Sequence, residues 1–464
     1  MAVSLAAALV LCFVPSCLHA QTPPAETSQT PPPNQVLGQV IAPVKYAVVG
    51  ESTFILQALP TFHNPYAGPN SLPGRGAVNF SHTYALYAGV RLTPRLEAYL
   101  NPEMALGNGI GAGSGLGAYS NGDLIGQSAL RADPYLARAF VRWRIPLLPS
   151  RRPGQRQTVS PGNDVIGGSF PAARLVLIAG KLAVSDHIDV NTYANNARTQ
   201  FVNAAFINNL AYDRAGDTRG YTHGVVASLI YPNVALRLGF VAMPTVVGGV
   251  DTSYHLPSQH SEQAELELHP QFSPGQHTPL IVRLLAYRNV GTMGRYEDAL
   301  KGASSGAPPD VTTVRRRGAE KYGFGLNFEQ AVADGGASGV FGRLGWNDGH
   351  TETFSTAEVD RVVSLGGQIS GSHWHRENDV LGIAVAQSDL SGPHRAYLSA
   401  GGLGLSLGGG ALSYGSERVV EAYYAYQLSP KASLSPGYQF IQNPGFNRAR
   451  GPASMASLRL HLTF

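Results

Sequence analysis

Apolar and polar residues alternate one by one along much of this chain. The segment Met455 to Phe464 (MASLRLHLTF) sets Leu458, Leu460, Leu462 and Phe464 on one face and Arg459, His461 and Thr463 on the other. Side chains of a strand repeat with a period of two, so the segment reads as a strand with one apolar and one polar face. A soluble sandwich uses such a strand with its apolar face in the core. A membrane barrel uses it with the apolar face on lipid and the polar face on a wet lumen. One strand does not choose between them.

The pattern recurs. Roughly sixteen segments of barrel-strand length start near Tyr46, Ala77, Arg95, Tyr135, Ala172, Gly220, Asn233, His260, Pro279, Ala319, Ala337, Glu358, Glu377, Arg418, Lys431 and Ala453. Tyr84, Leu86, Ala88, Val90 and Leu92 oppose Thr83, Tyr87 and Arg91. Val141, Trp143 and Ile145 oppose Arg138, Phe140, Arg142 and Arg144. Ala264, Leu266 and Leu268 oppose Gln263, Glu265, Glu267 and His269. Tyr322, Phe324, Leu326 and Phe328 oppose Lys321, Asn327 and Glu329.

The connections decide the architecture. Thr93-Pro94, Pro232-Asn233, Ala333 to Gly336 and Ser429-Pro430 are tight-turn sequences. Between them run long polar or Gly-rich stretches, at Pro60 to Gly76, Glu103 to Pro134, Asp186 to Arg219, Val290 to Gly318 and Asp389 to Glu417. Alternating short and long connections predict an all-β, transmembrane antiparallel meander barrel, with long extracellular loops and mostly short periplasmic turns. An even strand count puts both ends of the barrel at one rim, and about sixteen strands leave room for an aqueous channel. Tyr99, Trp143, Tyr231, Trp346 and Tyr438 sit near strand ends, where interfacial aromatic girdles belong. Pro146 to Pro171 departs from the rule: it is a long link on the short-turn side, and the pattern gives no reason for it.

Composition supports this. The chain of 464 residues has 54 Gly, 44% hydrophobic and only 14% charged residues, too apolar for disorder. Beyond the leader no charge-free apolar run reaches the length of a spanning helix. Net charge is +4 and no basic stripe forms, so nucleic acid is not an expected partner. Arg315 to Arg317, between Pro309 and Gly318, reads as a loop.

Three segments are expected: residues 1–20 as a secretory leader, 21–43 as a Pro-rich periplasmic linker, and 44–464 as the outer-membrane barrel. Both cysteines, Cys12 and Cys17, fall in the leader, so the exported chain is expected to lack disulfides and thiol chemistry.

Candidate chemistry is thin. Gly302 to Gly306 (GASSG) matches a nucleophile elbow, but APPD follows where a helix is required. Gly107 to Gly117 lacks a strand–helix context for phosphate and reads as a flexible loop. His373 and His375 fall on a predicted turn with no third ligand at metal spacing, except Glu377. No catalytic residue, metal or cofactor is expected.

The charges on the wet faces are more telling. Arg91, Arg138, Arg142, Arg144, Arg237, Arg283 and Arg343 share one phase, with Glu97, Glu265, Glu267 and Glu329 to oppose them. An Arg facing lipid costs about 2–4 kcal/mol near the midplane, so these residues are expected to line the lumen. A lumen of both signs suits neutral polar solutes, held by hydrogen bonds and by aromatic faces such as Tyr87 or Phe140.

The chain resembles the outer-membrane carbohydrate-selective porins of the OprB type, almost continuously from about Ser52 to Phe464. The resemblance rests on FILQALPTFHNPYAGPNSLPG (Phe54 to Gly74), LEAYLNPEMALGNG (Leu96 to Gly109), LGAYSNGDL (Leu116 to Leu124), DHIDVNTYANNARTQFVNAAF (Asp186 to Phe206) and YDRAGDTRGYTHG (Tyr212 to Gly224). It continues through AYRNVGTMGRYEDAL (Ala286 to Leu300), RLGWNDGHTETF (Arg343 to Phe354), HRAYLSAGGLG (His394 to Gly404) and YQFIQNPGFNRARGP (Tyr438 to Pro452).

It implies a sixteen-stranded porin that passes sugars or similar small polar solutes across the outer membrane of a Gram-negative bacterium. It implies that Phe464 is read by the barrel-assembly machinery, and that Asp186 to Arg219 is a pore-constricting loop with Asp186, Asp189, Arg198, Asp213, Asp217 and Arg219 near the eyelet. A homotrimer, common among porins, stays open. The alternative function is a barrel with a blocked pore, serving as receptor, adhesin or envelope scaffold.

Overall fold

The structure is a computed structural model that describes residues 45–124, 133–147, 156–270, 280–304, 306–354 and 358–464. The expected leader and linker lie outside the described residues.

The first half of the chain contributes β1 (Tyr46–Leu59), β2 (Ala77–Arg91), β3 (Leu96–Gly107), β4 (Tyr135–Pro146), β5 (Arg156–Val159), β6 (Gly168–Pro171), β7 (Arg174–Leu182), β8 (Thr222–Tyr231) and β9 (Val234–Ala242). Then come β10 (His260–Leu268), β11 (Leu280–Met293), β12 (Arg316–Ala333), β13 (Ser338–Asn347), β14 (Arg361–Ser370), β15 (Val380–Asp389), β16 (Glu417–Ser429), β17 (Ala432–Gln442) and β18 (Ala453–Thr463). All but β5 and β6 form a closed antiparallel barrel in which each strand pairs with its chain neighbours and β1 pairs with β18. The sixteen barrel strands begin within three residues of the starts expected from alternation.

The wall obeys the period of two. Leu238 (50% exposed), Phe324 (56%) and Ile383 (58%) point outward, whereas Glu265 and Lys321 on the same strands or their neighbours point inward and are fully buried. An outward apolar surface around the whole barrel is what a hydrocarbon environment demands of a closed sheet. Trp143, Tyr231, Trp346 and Tyr438 are on that outer face. Tyr99 is not. Its ring lies inside, stacked on Phe140 at 4.9 Å, and its hydroxyl donates to Glu97 Oε2 at 2.6 Å. It shares the phase of Glu97, which alternation should have excluded from a girdle.

At the seam, Glu51 stands opposite Thr463 and Ala58 opposite Ala456. Gly50 N donates to the Phe464 carbonyl at 2.9 Å, and Phe464 N returns a bond to Gly50 O at 3.0 Å. The Phe464 ring lies across Gly50, occupying the space of any side chain there, so a larger residue would displace it.

The long connections do not simply hang outside. Helices α2 (Tyr296–Gly302) and α3 (Gly392–Ser399) pack together on the long-loop rim, with Tyr296 stacked on His394 at 4.4 Å. The stretch 107–117 is packed and not a free loop: Ile110 and Leu116 are buried in the interior apolar cluster. Arg316 and Arg317 are not in a loop either, but open β12. Both side chains are exposed at the long-loop end of that strand.

Candidate functional site: a polar cavity beside an inward loop

Loop 183–221, between β7 and β8, folds into the barrel and is pinned to the wall by inward-facing strand residues. Glu265 Oε2 accepts from Asp189 N at 2.6 Å, and Glu329 Oε1 accepts from Thr192 Oγ1 at 3.1 Å. Glu421 accepts from Val202 N and Asn203 N at 2.6 and 2.8 Å. Arg343 donates to the carbonyls of Phe206 and Ala194, both at 2.9 Å, and Arg459 donates to Ala197 O at 2.8 Å. A short helix, α1 (Ala204–Ile207), is capped by the Asn203 side chain. Next to it Phe201 packs on Tyr423 (5.0 Å), Phe206 (5.3 Å) and Phe341 (5.7 Å), an apolar core inside the barrel. Backbone groups taken out of water need partners, and the carboxylates and guanidiniums of the wall supply them.

Residues along this loop, from Asp186 through Arg198 to Arg219, border a cavity of ≈ 170 Å³. Two guanidiniums organise it. Arg198 Nη1 donates to Glu51 Oε1 (2.9 Å) and Tyr87 Oη (3.1 Å), Nε donates to Asp123 Oδ1 (2.8 Å), and Glu103 lies at 3.5 Å. Arg138, on β4, grips Asp186 with Nε and Nη2 at 2.6 and 3.0 Å and reaches Asn101 Oδ1 at 2.7 Å. Burial pushes the Asp186 carboxyl up, but the adjoining Arg138 guanidinium overrides it and holds the group below the usual carboxylate range. Tyr221 and Tyr135 both donate to Glu103 Oε2, at 2.6 and 3.1 Å, and the Arg219 guanidinium lies 4.1 Å over the Tyr135 ring. Acceptors, forked donors and phenol rings thus converge on a small wet space.

Of the residues expected near an eyelet, Asp186, Arg198 and Arg219 border this cavity. Asp189, Asp213 and Asp217 do not. Asp189 is gripped by Arg343 (3.0 Å) and Asn327 (2.9 Å); Asp213 receives Phe354 N (2.7 Å); Asp217 receives the amides of Arg219 and Tyr221 (2.8 and 3.0 Å). These three fasten the loop, because a chain folded into a lumen has orphan amides and arginines to satisfy.

The expected lumen charges divide in the same way. Arg138 borders the cavity. Arg237, Glu265, Glu267, Arg283 and Glu329 form a ladder of contacts between 2.7 and 3.4 Å. With Arg343 they face inward, but loop 183–221 covers them, and Glu265 and Arg283 are 0% and 1% exposed. Arg91, Glu97, Arg142 and Arg144 form a second cluster: Glu97 lies 2.8 Å from Arg91 and is also paired with Arg144. The connection from β4 to β7 covers this cluster. Alternation predicts the side of the wall and says nothing of what lies against it.

Glu51, Glu103, Asp123 and Asn163 are among the cavity residues that sequence reasoning missed. Glu51 and Glu103 had a signal, since they continue the inward phases of Thr53 and Glu97. Asp123 and Asn163 lie in connections, where no period points to them.

A family model for the carbohydrate-selective porins of the OprB family matches residues 75–464. The chain belongs to that family. Like other carbohydrate-selective porins, it is a sugar channel of the Gram-negative outer membrane. Among solved structures, Pseudomonas putida OprB at high pH is 14% identical, with 90% of this chain and 94% of that chain covered and a TM-score of 0.66. The low-pH structure of the same porin is 12% identical over 90% and 93%, with a TM-score of 0.46. Salmonella typhi OmpF in complex with daunomycin is 8% identical over 90% and 97%, with a TM-score of 0.47. The first of these shows the shared fold. Comparison with curated proteins gives no match.

Proposed function

We propose that sugars diffuse passively past the cavity beneath loop 183–221, and that Arg138, Arg198 and Arg219 with Glu51, Glu103 and Asp186 form its polar lining. The observation that carries this reading is the convergence of forked donors, carboxylates and the Tyr87 and Tyr221 rings on one wet space. A sugar presents hydroxyls that both donate and accept, and faces of C–H that lie against aromatic rings. A lining of both signs offers weak, reversible sites to such a solute without trapping it. Transport then needs no cofactor and no covalent step, so the protein acts as a channel and not as an enzyme.

The same reading divides the chain into a leader at 1–20, a linker at 21–43 and the barrel from 44, and takes Phe464 as the mark read by the assembly machinery. The exposed apolar wall is available to lipid and to a second barrel, so a homotrimer belongs to the reading and a native mass in detergent checks it. The main test is sugar flux in liposome-swelling assays. Folded protein should admit monosaccharides, and Arg138→Ala should change the rate. Folded wild-type protein that admits none would refute the reading.

A further inference from the structure

The connection between β4 and β7, residues 147–173, is the longest link at its rim among the described ones, where β2–β3, β8–β9, β12–β13 and β16–β17 turn within four residues and β14–β15 within nine. Its end segments pair as the hairpin β5–β6, with Arg156 opposite Pro171 and Val159 opposite Gly168. In a turn hanging in water, the apolar residues between and beside those strands would be exposed. Here Val159, Val165, Ile166 and Phe170 are at most 5% exposed.

The wall holds this segment inside. Arg91 Nη2 donates to the carbonyls of Ile166 and Gly167 at 3.0 and 3.1 Å, and Arg142 Nη1 donates to Asp164 O at 2.8 Å. Ile166 N donates to Tyr99 Oη at 3.0 Å, and the Arg144 guanidinium lies 4.1 Å over the Phe170 ring. The inward charges of β2 to β4 therefore do for this segment what those of β10 to β13 do for loop 183–221.

The two inward segments meet at one carboxylate. Glu51 Oε1 accepts from Arg198 of the long loop at 2.9 Å, and Glu51 Oε2 accepts from Asn163 Nδ2 at 2.7 Å. Asn163 is half-buried and borders the same cavity as Arg198. A solute in that cavity therefore faces a ceiling from one rim and a floor from the other.

We infer that residues 156–171 form a second constriction, entering from the periplasmic rim, and that Asn163 at its tip is a specificity-determining residue for solutes leaving the cavity. This rests on the cavity being the solute path. A solute too large to pass Asn163 and Glu51 is retained above the floor, so this segment sets the size limit at the exit while loop 183–221 sets it at the entrance.

The test uses Asn163→Cys, since both native cysteines precede residue 20. Folded protein in a planar bilayer is treated with a bulky methanethiosulfonate reagent, and attachment is read by mass. The current should fall at least twofold, with wild type unaffected. In liposomes, Asn163→Gly should raise the disaccharide-to-monosaccharide flux ratio at least twofold. Full labelling with unchanged current, no labelling of folded protein, or an unchanged flux ratio would overturn the inference. The path itself is tested separately by Arg198→Ala. If that variant alters sugar flux and the Asn163 variants do not, the cavity stands and its floor falls. If neither does, or folded wild type carries no current, both fall.

Discussion

Removing Arg198 should convert the narrow part of this channel into a cation-preferring one. Its guanidinium is the shared partner of Glu51 and Asp123, at 2.9 and 2.8 Å, with Glu103 at 3.5 Å. Arg198→Ala leaves those carboxylates facing the cavity with one positive charge fewer. For an ion passing about 6 Å from the lost charge, Coulomb's law at the dielectric of water gives about 0.7 kcal/mol in favour of a cation and as much against an anion. The two add to about 1.4 kcal/mol, roughly a tenfold rise in the cation-to-anion permeability ratio. The lower dielectric of the lumen makes that a minimum. The assay is the reversal potential across a planar bilayer under a salt gradient, with folded barrels verified by circular dichroism. Arg198→Lys is the control: it keeps the charge and loses the fork, so selectivity should hold while sugar flux changes. An unchanged reversal potential in a folded Arg198→Ala channel would refute the placement of Arg198 in the ion path.

Further outcomes follow from the same contacts. Arg343→Ala removes the partner of Asp189 and the donor to carbonyls of Phe206 and Ala194; breaking such a buried pair costs about 3–5 kcal/mol, so loop 183–221 should loosen, seen as faster proteolysis within the loop and a larger conductance. Burial pushes the Asp164 carboxyl up to about 6, with Arg138 opposing and Asp186 and Glu103 reinforcing the rise while Arg142 opposes it. Its folded value lies above the unfolded one, so the folded state binds more protons between about 3.8 and about 6, and the tucked segment gains stability as pH falls through that window. The Asp164 carboxyl, 3.3 Å from the cavity residue Arg138, also loses its negative charge there. The reversal potential should therefore shift towards anions between pH 7 and pH 5, and Asp164→Asn should abolish that step. Deleting Phe464 should lower the yield of assembled barrel on heat-modifiability gels while leaving the selectivity of inserted channels unchanged.

How far the sequence reveals this molecule depends on what its periodicity encodes. The strands were legible because Leu236, Leu238 and Phe240 alternate with Ala235, Arg237 and Gly239, and because Pro232-Asn233 and Ser429-Pro430 mark the returns. The inward side of Arg91, Arg142, Arg283 and Arg343 was legible for the same reason. Their neighbours were not. A guanidinium that bonds a solute and one that bonds the carbonyls of a tucked loop occupy the same strand phase, and only tertiary contact separates them. The link between β4 and β7 shows the limit most clearly: its length was visible as an anomaly, yet Phe170 and Ile166 carry no period that says they turn inward.

The seam between β1 and β18 has a consequence for how the chain reaches this state. Thr53 Oγ1 and His461 Nδ1 lie 2.9 Å apart across 408 residues of sequence. Until β18 arrives, β1 is an unpaired edge, and the newest strand is another. Such edges are templates for pairing with foreign strands. Closure also spans almost the largest loop the chain can form, which makes it slow compared with any hairpin in the meander. A nascent barrel of this kind therefore spends its assembly as an open, adhesive sheet, and the time it spends so is set by delivery of its far end. Mutations that delay β18 should appear first as aggregation or cross-pairing, well before they alter what the finished channel lets through.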